Sequence, residues 1–279
     1  MTIRVGGVPE HVSLPWLLAI ERGRLDPAVT WTDQPGGTGQ MVRALADDEL
    51  DAAVALTEGL VAAIAAGLDA HLVSAYTASP MYWGVHAAGA STLELDGLDG
   101  ARFAVSRLGS GSHLMAYVLA EDLGLSLGDD SFVVVGGIDG ARAALAAGDA
   151  EVFLWDRFMT SPVVDSGEFR RLGVVPTPWP AFTVAARGRA AAQDRSLGQA
   201  LAVVGDVGRG LHDDPATIGR LVDRYELDPD DARHWLEVTE FAEPARPDPD
   251  MIEAVERRLV ALGLVEHLRG AAFYLGSPG

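Results

Sequence analysis

Short apolar runs alternate with amphipathic segments along the first two thirds of the chain. Strands are predicted at residues 5–8, 29–32, 52–56, 71–76 and 81–85. Helical spacing begins at Leu14, with Pro15 in the first turn, recurs through Met41, Val42 and Leu45, and fills residues 60–66. Polar or glycine-rich breaks close these strands: Pro9-Glu10-His11, Gln34 to Gly39, Thr57-Glu58-Gly59 and Ser79-Pro80. After the Ala/Gly stretch at 87–90 the same grammar restarts. A strand at 102–106 meets the turn Arg107-Leu108-Gly109-Ser110-Gly111-Ser112, then a helical pattern at Leu114, Met115, Val118 and Leu119. Further strands follow at 132–135, 152–155, 172–175 and 182–185, with a helix at 141–147. Beyond residue 190 the chain reads as helical: 197–211, then helices opened by Asp214-Pro215, Asp228-Pro229 and Asp248-Pro249, each an N-cap followed by proline. Such alternation predicts an α/β fold with parallel sheets and a helical C-terminal part.

The pattern repeats internally. Residues 44–54 and 144–154 share one order: Ala-Leu-Ala helix, tight polar turn, acidic residue (Asp51 or Glu151), apolar strand. One strand ends in Thr57-Glu58 and the other in Trp155-Asp156. Two lobes of like construction, each with polar or aromatic groups at strand C-termini, predict a ligand held between them, because open α/β sheets bind at that edge.

Composition narrows the chemistry. With 48% hydrophobic and 22% charged residues the chain has ample core, and its net charge of −19 disfavours nucleic acid and anionic membranes as partners. Cysteine, lysine and asparagine are absent. That removes disulfides, thiolate nucleophiles, iron–sulfur ligation, Schiff bases and P-loop phosphate binding. No apolar run is long enough to span a bilayer, so membrane insertion is not expected. No basic stretch precedes an apolar segment at the N-terminus, and without a cysteine there is no lipid-anchor site; as written, a cytoplasmic protein is expected. The dinucleotide fingerprint fails, since Leu114 follows Gly109-Ser110-Gly111 where a small residue belongs. Neither a Gly-x-Ser-x-Gly elbow nor a His-Glu-x-x-His helix occurs, and neither a metal nor a cofactor is expected.

The echo and the two-lobe order resemble the substrate-binding proteins of ABC transporters with the periplasmic-binding type II fold. The tail, residues 228–241 and 248–263, is similar to the aliphatic-sulfonate and thiamine-precursor branch. Pro9-Glu10-His11, Gly37-Thr38-Gly39, Leu56-Thr57-Glu58-Gly59, Ser79-Pro80, the turn at 107–112 and Thr177-Pro178-Trp179-Pro180 resemble a subgroup without signal peptides found in bacteria and fungi. The resemblance implies a discontinuous first lobe (1–86 and 187–279), a second lobe (87–186), and two crossings, placed near 85–88 and 183–187. It implies a small-molecule ligand and leaves an ABC permease open as a partner. Thiamine-pyrimidine synthases of this fold carry a cysteine-rich iron motif, which this chain lacks. Menaquinone-route enzymes of the same fold leave a cytoplasmic elimination enzyme as the alternative to a receptor, with pocket carboxylates or histidines as acids and bases.

Carried onto matching positions, the expected ligand-binding residues of the first lobe are Glu10, His11, Thr38, Thr57 and Glu58. Those of the second are Ser110, Ser112, His113, Trp155, Asp156 and Trp179, with Tyr82 and Trp83 near a crossing. Hydroxyls and turn N–H groups would orient a polar or anionic head, with Arg107 as countercharge, and aromatic walls would grip a flat body. Each has a plainer alternative. Ser110, Thr38, Glu10 and His11 could simply cap helices, Glu58 could favour a helix N-terminus by its charge, and one of Tyr82 and Trp83 should face the core.

Overall fold

The computed structural model describes residues 2–276. Two compact units emerge among the described residues: 2–80, 179–226 and 233–276 form the first, and 81–178 with 227–232 the second. The chain passes between them at Pro80/Met81 and Pro178/Trp179, and again at Glu226/Leu227 and Ala232/Arg233. Residues 85–88 and 183–187 lie inside strands, because the buried, β-rich runs around them complete a sheet.

The first unit is built from β1 (Ile3–Gly7), α1 (Leu14–Glu21), β2 (Val29–Asp33), α2 (Gly37–Ala46), β3 (Ala52–Leu56), α3 (Thr57–Ala65) and β4 (Ala70–Ala75). The second carries β5 (Tyr82–Ala88), β6 (Phe103–Val105), α4 (Gly111–Leu123), β7 (Phe132–Val134), α5 (Ile138–Ala147), β8 (Val152–Asp156), α6 (Ser161–Asp165) and β9 (Phe169–Pro176). The chain then returns with β10 (Phe182–Arg187), followed by α7 (Gly188–Ala192), α8 (Arg195–Arg209), α9 (Thr217–Tyr225), α10 (Pro229–Val238), α11 (Pro249–Ala261) and α12 (Ala271–Leu275).

Strand order is β2-β1-β3-β10-β4 in one sheet and β7-β6-β8-β5-β9 in the other. The sheets are mixed rather than parallel. In each, three neighbouring strands pair in parallel (β2-β1-β3 and β7-β6-β8), whereas β10 opposes β3 and β4, and β5 opposes β8 and β9. The reason is connectivity: β5 and β10 are the first strands after the chain changes unit, so no βαβ crossover dictates their direction. One helix start also differs from the expected one. Asp214 accepts from the Ala216 N–H at 3.0 Å in a turn, and the helix opens only at Thr217.

The internal echo has a physical basis. In the first unit the Arg4 N–H and guanidinium grip Asp51 at 2.8 and 2.9 Å, while Arg4 also donates to the Asp48 carbonyl. In the second, Arg102 grips Glu151 through its N–H at 2.7 Å and its guanidinium at 2.6 Å, and donates to the Gly148 carbonyl. Asp48 and Gly148 are both left-handed, with φ of 59° and 75°. Each unit thus latches its helix–strand turn to its first parallel strand by one arginine, and the Arg4 contact holds the Asp51 carboxyl below its usual range. No helix among the described residues is long and apolar enough to cross a membrane.

Candidate functional site

The topology places the expected residues at one edge of each sheet. In the first unit, Glu10 and His11 follow β1, Thr38 opens α2 after β2, Thr57 and Glu58 follow β3, and Trp179 precedes the antiparallel β10. In the second, Ser110, Ser112 and His113 follow β6, Trp155 and Asp156 end β8, and Tyr82 and Trp83 begin the antiparallel β5. These are the carboxyl ends of the parallel strands, where helix N-termini and loops leave room for ligands.

Four of the first unit's residues are brought together around the β3–α3 junction. α3 starts at Thr57, three residues before the apolar pattern, because Thr57-Glu58-Gly59 already has helical geometry. The Thr57 N–H donates to the Ala181 carbonyl at 2.9 Å, and its Oγ1 to the Pro180 carbonyl at 2.9 Å. That pinning sets Trp179 beside Glu58, and Trp179 Nε1 donates to Glu58 Oε2 at 2.9 Å. Trp179, read from the sequence as a second-lobe residue, belongs to the first unit, where Thr57 holds the Pro180 and Ala181 carbonyls that follow it. Thr38 Oγ1 accepts from the Leu56 N–H at 3.3 Å, and a Cβ on Gly59 would lie 2.5 Å from the Thr38 methyl.

Glu58 is only 3% exposed. Burial pushes its carboxyl up to about 7, against the opposing pull of its own N–H and the Trp179 indole. Its second oxygen, Oε1, is inaccessible and has no hydrogen-bond partner among the described residues. A buried polar atom without a partner is rare in folded proteins and asks for a water, ion or ligand. Trp83 Nε1 in the second unit is orphaned in the same way.

The remaining residues are more fully used by the protein itself. His11 is buried and stacks on Trp235, with ring centroids 5.0 Å apart, while Glu10 precedes the tight turn that His11 begins. Ser110 is the N-cap of α4, accepting from the His113 N–H at 3.4 Å, and lies 3.0 Å from Ser112 Oγ. Ser112 Oγ accepts from the Ser106 N–H at 3.0 Å. His113 Nδ1 accepts from the Gly109 N–H at 3.0 Å, so its proton sits on Nε2, and burial lowers its pKa. Asp156 Oδ1 accepts the N–H groups of Phe158 and Met159 at 2.8 and 2.9 Å, which tightens the turn after β8. Trp155 stacks on Phe153 and packs against the second unit's core, while Trp83 is buried and Tyr82 half-buried, as alternation along β5 requires.

His86, a lone histidine in the apolar strand β5, is held on both ring nitrogens. It is fully buried: Nδ1 lies 3.2 Å from the Phe153 carbonyl, and Nε2 lies 3.0 Å from Thr160 Oγ1 and 3.5 Å from Arg171 Nε. Its signal was a lone histidine in an apolar strand.

The packing of Thr38 on Gly59 is directly testable. Gly59→Ala is expected to cost about 1–3 kcal/mol, because the new methyl overfills the contact. Thr38→Ser, which removes the opposing methyl and keeps the hydroxyl, should restore most of the loss. Urea midpoints of the four-membered mutant cycle measure this, and additive effects would mean the two sites do not touch.

Residues 83–175 match the family described as Ca3427-like PBP. Among solved structures, the Candida albicans CA3427 gene product, described as defining a new family with the generic periplasmic binding protein fold, is 26% identical. It aligns over 96% of this chain and 92% of its own, with a TM-score of 0.86. The alkanesulfonate-binding protein SsuA from Xanthomonas axonopodis pv. citri, bound to MOPS, is 24% identical over 97% of this chain and 96% of its own, with a TM-score of 0.80. The nitrate-binding protein NrtA from Synechocystis is 14% identical over 96% and 83%, with a TM-score of 0.75. No curated protein matches this chain significantly.

Proposed function

We propose that this chain, a periplasmic binding protein of type II by fold and similar in its second unit to the Ca3427-like family, binds a small solute. Glu58 at the β3–α3 junction meets the ligand's polar head. The observation that carries this reading is the orphaned Oε1 of a carboxyl that is 3% exposed, at the sheet edge where such folds take ligands. Structural neighbours that bind sulfonate or nitrate support a solute-binding role. Protonated Glu58 would offer Oε1–H to an anionic head, so affinity for an anion should fall as pH rises through about 7.

Thermal-shift screening with alkanesulfonates, nitrate, vitamin precursors and chorismate-derived acids tests the reading. A compound that stabilises the wild type should bind Glu58→Ala at least about tenfold more weakly, the usual consequence of losing a buried charge-assisted contact. Equal binding by both proteins would remove Glu58 from the site. The alternative, an elimination enzyme, rests on the same carboxyl, since a group near 7 suits proton transfer. Incubation decides between them: a receptor returns its ligand unchanged, whereas an enzyme consumes it.

A further inference from the structure

A small cavity in the first unit is lined by none of the β3–α3 junction residues. It holds about 60 Å³ and is lined by His71 and Val73 of β4, Arg189 and Ala192 of α7, Gln193, Arg246, and Leu275 and Gly276 at the end of α12. Its charge is unusual for this molecule. The chain carries 40 acidic and 21 basic residues, and arginines such as Arg4, Arg22, Arg24, Arg102, Arg142 and Arg170 form ion pairs with Asp or Glu. Arg189 and Arg246 have no acidic partner among the described residues; Arg246 Nη1 reaches only the Gly276 carbonyl, at 3.5 Å. Asp69, the acid at the head of α7, is not part of the lining.

The cavity wall also holds an unsatisfied group. His71 Nδ1 is inaccessible and without a partner among the described residues. Gly276, with φ of 69°, packs on the imidazole so closely that a Cβ there would lie 3.2 Å from Nδ1. Two arginines lining one small cavity bring like charges to it, and an anion offsets that charge while accepting from their planar donor sets. The volume exceeds what one water needs by several-fold and suits a small tetrahedral ion.

We infer that this cavity is an oxyanion site, with Arg189 and Arg246 clamping a phosphate- or sulfate-sized group beside His71. It is separate from the proposed solute site, and its failure would leave Glu58 untouched.

Titration with inorganic phosphate and with sulfate at constant ionic strength, potassium chloride making up the balance, tests it. Calorimetry gives the affinity, and the His71 ring resonances locate the ion. The expected result is saturable binding that shifts His71, weakened about tenfold or more in Arg189→Gln and in Arg246→Gln, since each removes a charge-assisted contact. Both arginines are exposed, so the variants should fold as the wild type does. Comparable affinity for the two ions would mark a general oxyanion site, and preference for one would name its ligand class. No binding beyond the chloride control, binding that leaves His71 unmoved, or binding unchanged in both variants would overturn the inference.

Discussion

Glu58→Gln is expected to make the protein more stable at pH 8 by up to about 3 kcal/mol, and to leave it unchanged at pH 4. Burial raises the carboxyl from its ordinary 4.5 to about 7. A group raised in the folded state contributes full stability below its unfolded value and loses it as pH climbs through the folded one. The wild type therefore carries a growing penalty from about pH 4.5 to about 7 for ionising a carboxyl away from water. Glutamine keeps the shape and removes the titration. Trp179→Phe, which deletes the one indole donor to Oε2, should push the Glu58 midpoint higher still. Urea denaturation of wild type and variant across this range measures the effect, and parallel stability profiles would show that Glu58 titrates like a solvated residue.

The second large effect has the opposite sign. His86 is expected to remain neutral far below the usual histidine range, titrating at about 4 because burial and the neighbouring Arg171 cation disfavour its charged form. A depressed value means that its contribution is complete above pH 6.5 and is lost as pH falls through about 4. The loss amounts to about 3 kcal/mol. It should appear as faster amide exchange in β5, β8 and β9, whose residues surround the ring. Ring NMR gives the midpoint, and a value near 6.5 would refute the assignment. If the protein unfolds as one cooperative system, the Glu58 and His86 slopes nearly cancel between pH 4.5 and 6.5. Glu58→Gln then uncovers the acid limb.

Much of this was legible in the sequence where one physical signal dominated. The buried strand β3 falls at residues 52–56 as predicted, since an uninterrupted apolar run bounded by turn residues has few other solutions. The echo at an offset of one hundred marked equivalent pieces of two units, but not the arginines that latch them, because Arg4 and Arg102 act across the sheet from the turns they hold. The first turn of α3 was hidden because Thr57-Glu58-Gly59 reads as a loop while its apolar face starts at Leu60. The direction of β5 and β10 was invisible to periodicity, which is the same for parallel and antiparallel strands. Trp179, expected from sequence among the ligand-binding residues, is 6% exposed, with the backbone beside it tied down by Thr57. Trp179→Ala and Ser110→Ala should therefore cost stability as well as any ligand contact: one deletes a buried indole and the other a helix cap.

Native mass spectrometry of freshly purified protein, followed by calorimetric titration of the released compound into wild type and Glu58→Ala, tests solute binding most directly. The expected result is one small molecule per chain, returned unchanged after incubation and held at least about tenfold more weakly by the variant. A compound consumed on incubation, or bound equally by both proteins, would contradict a receptor built around Glu58.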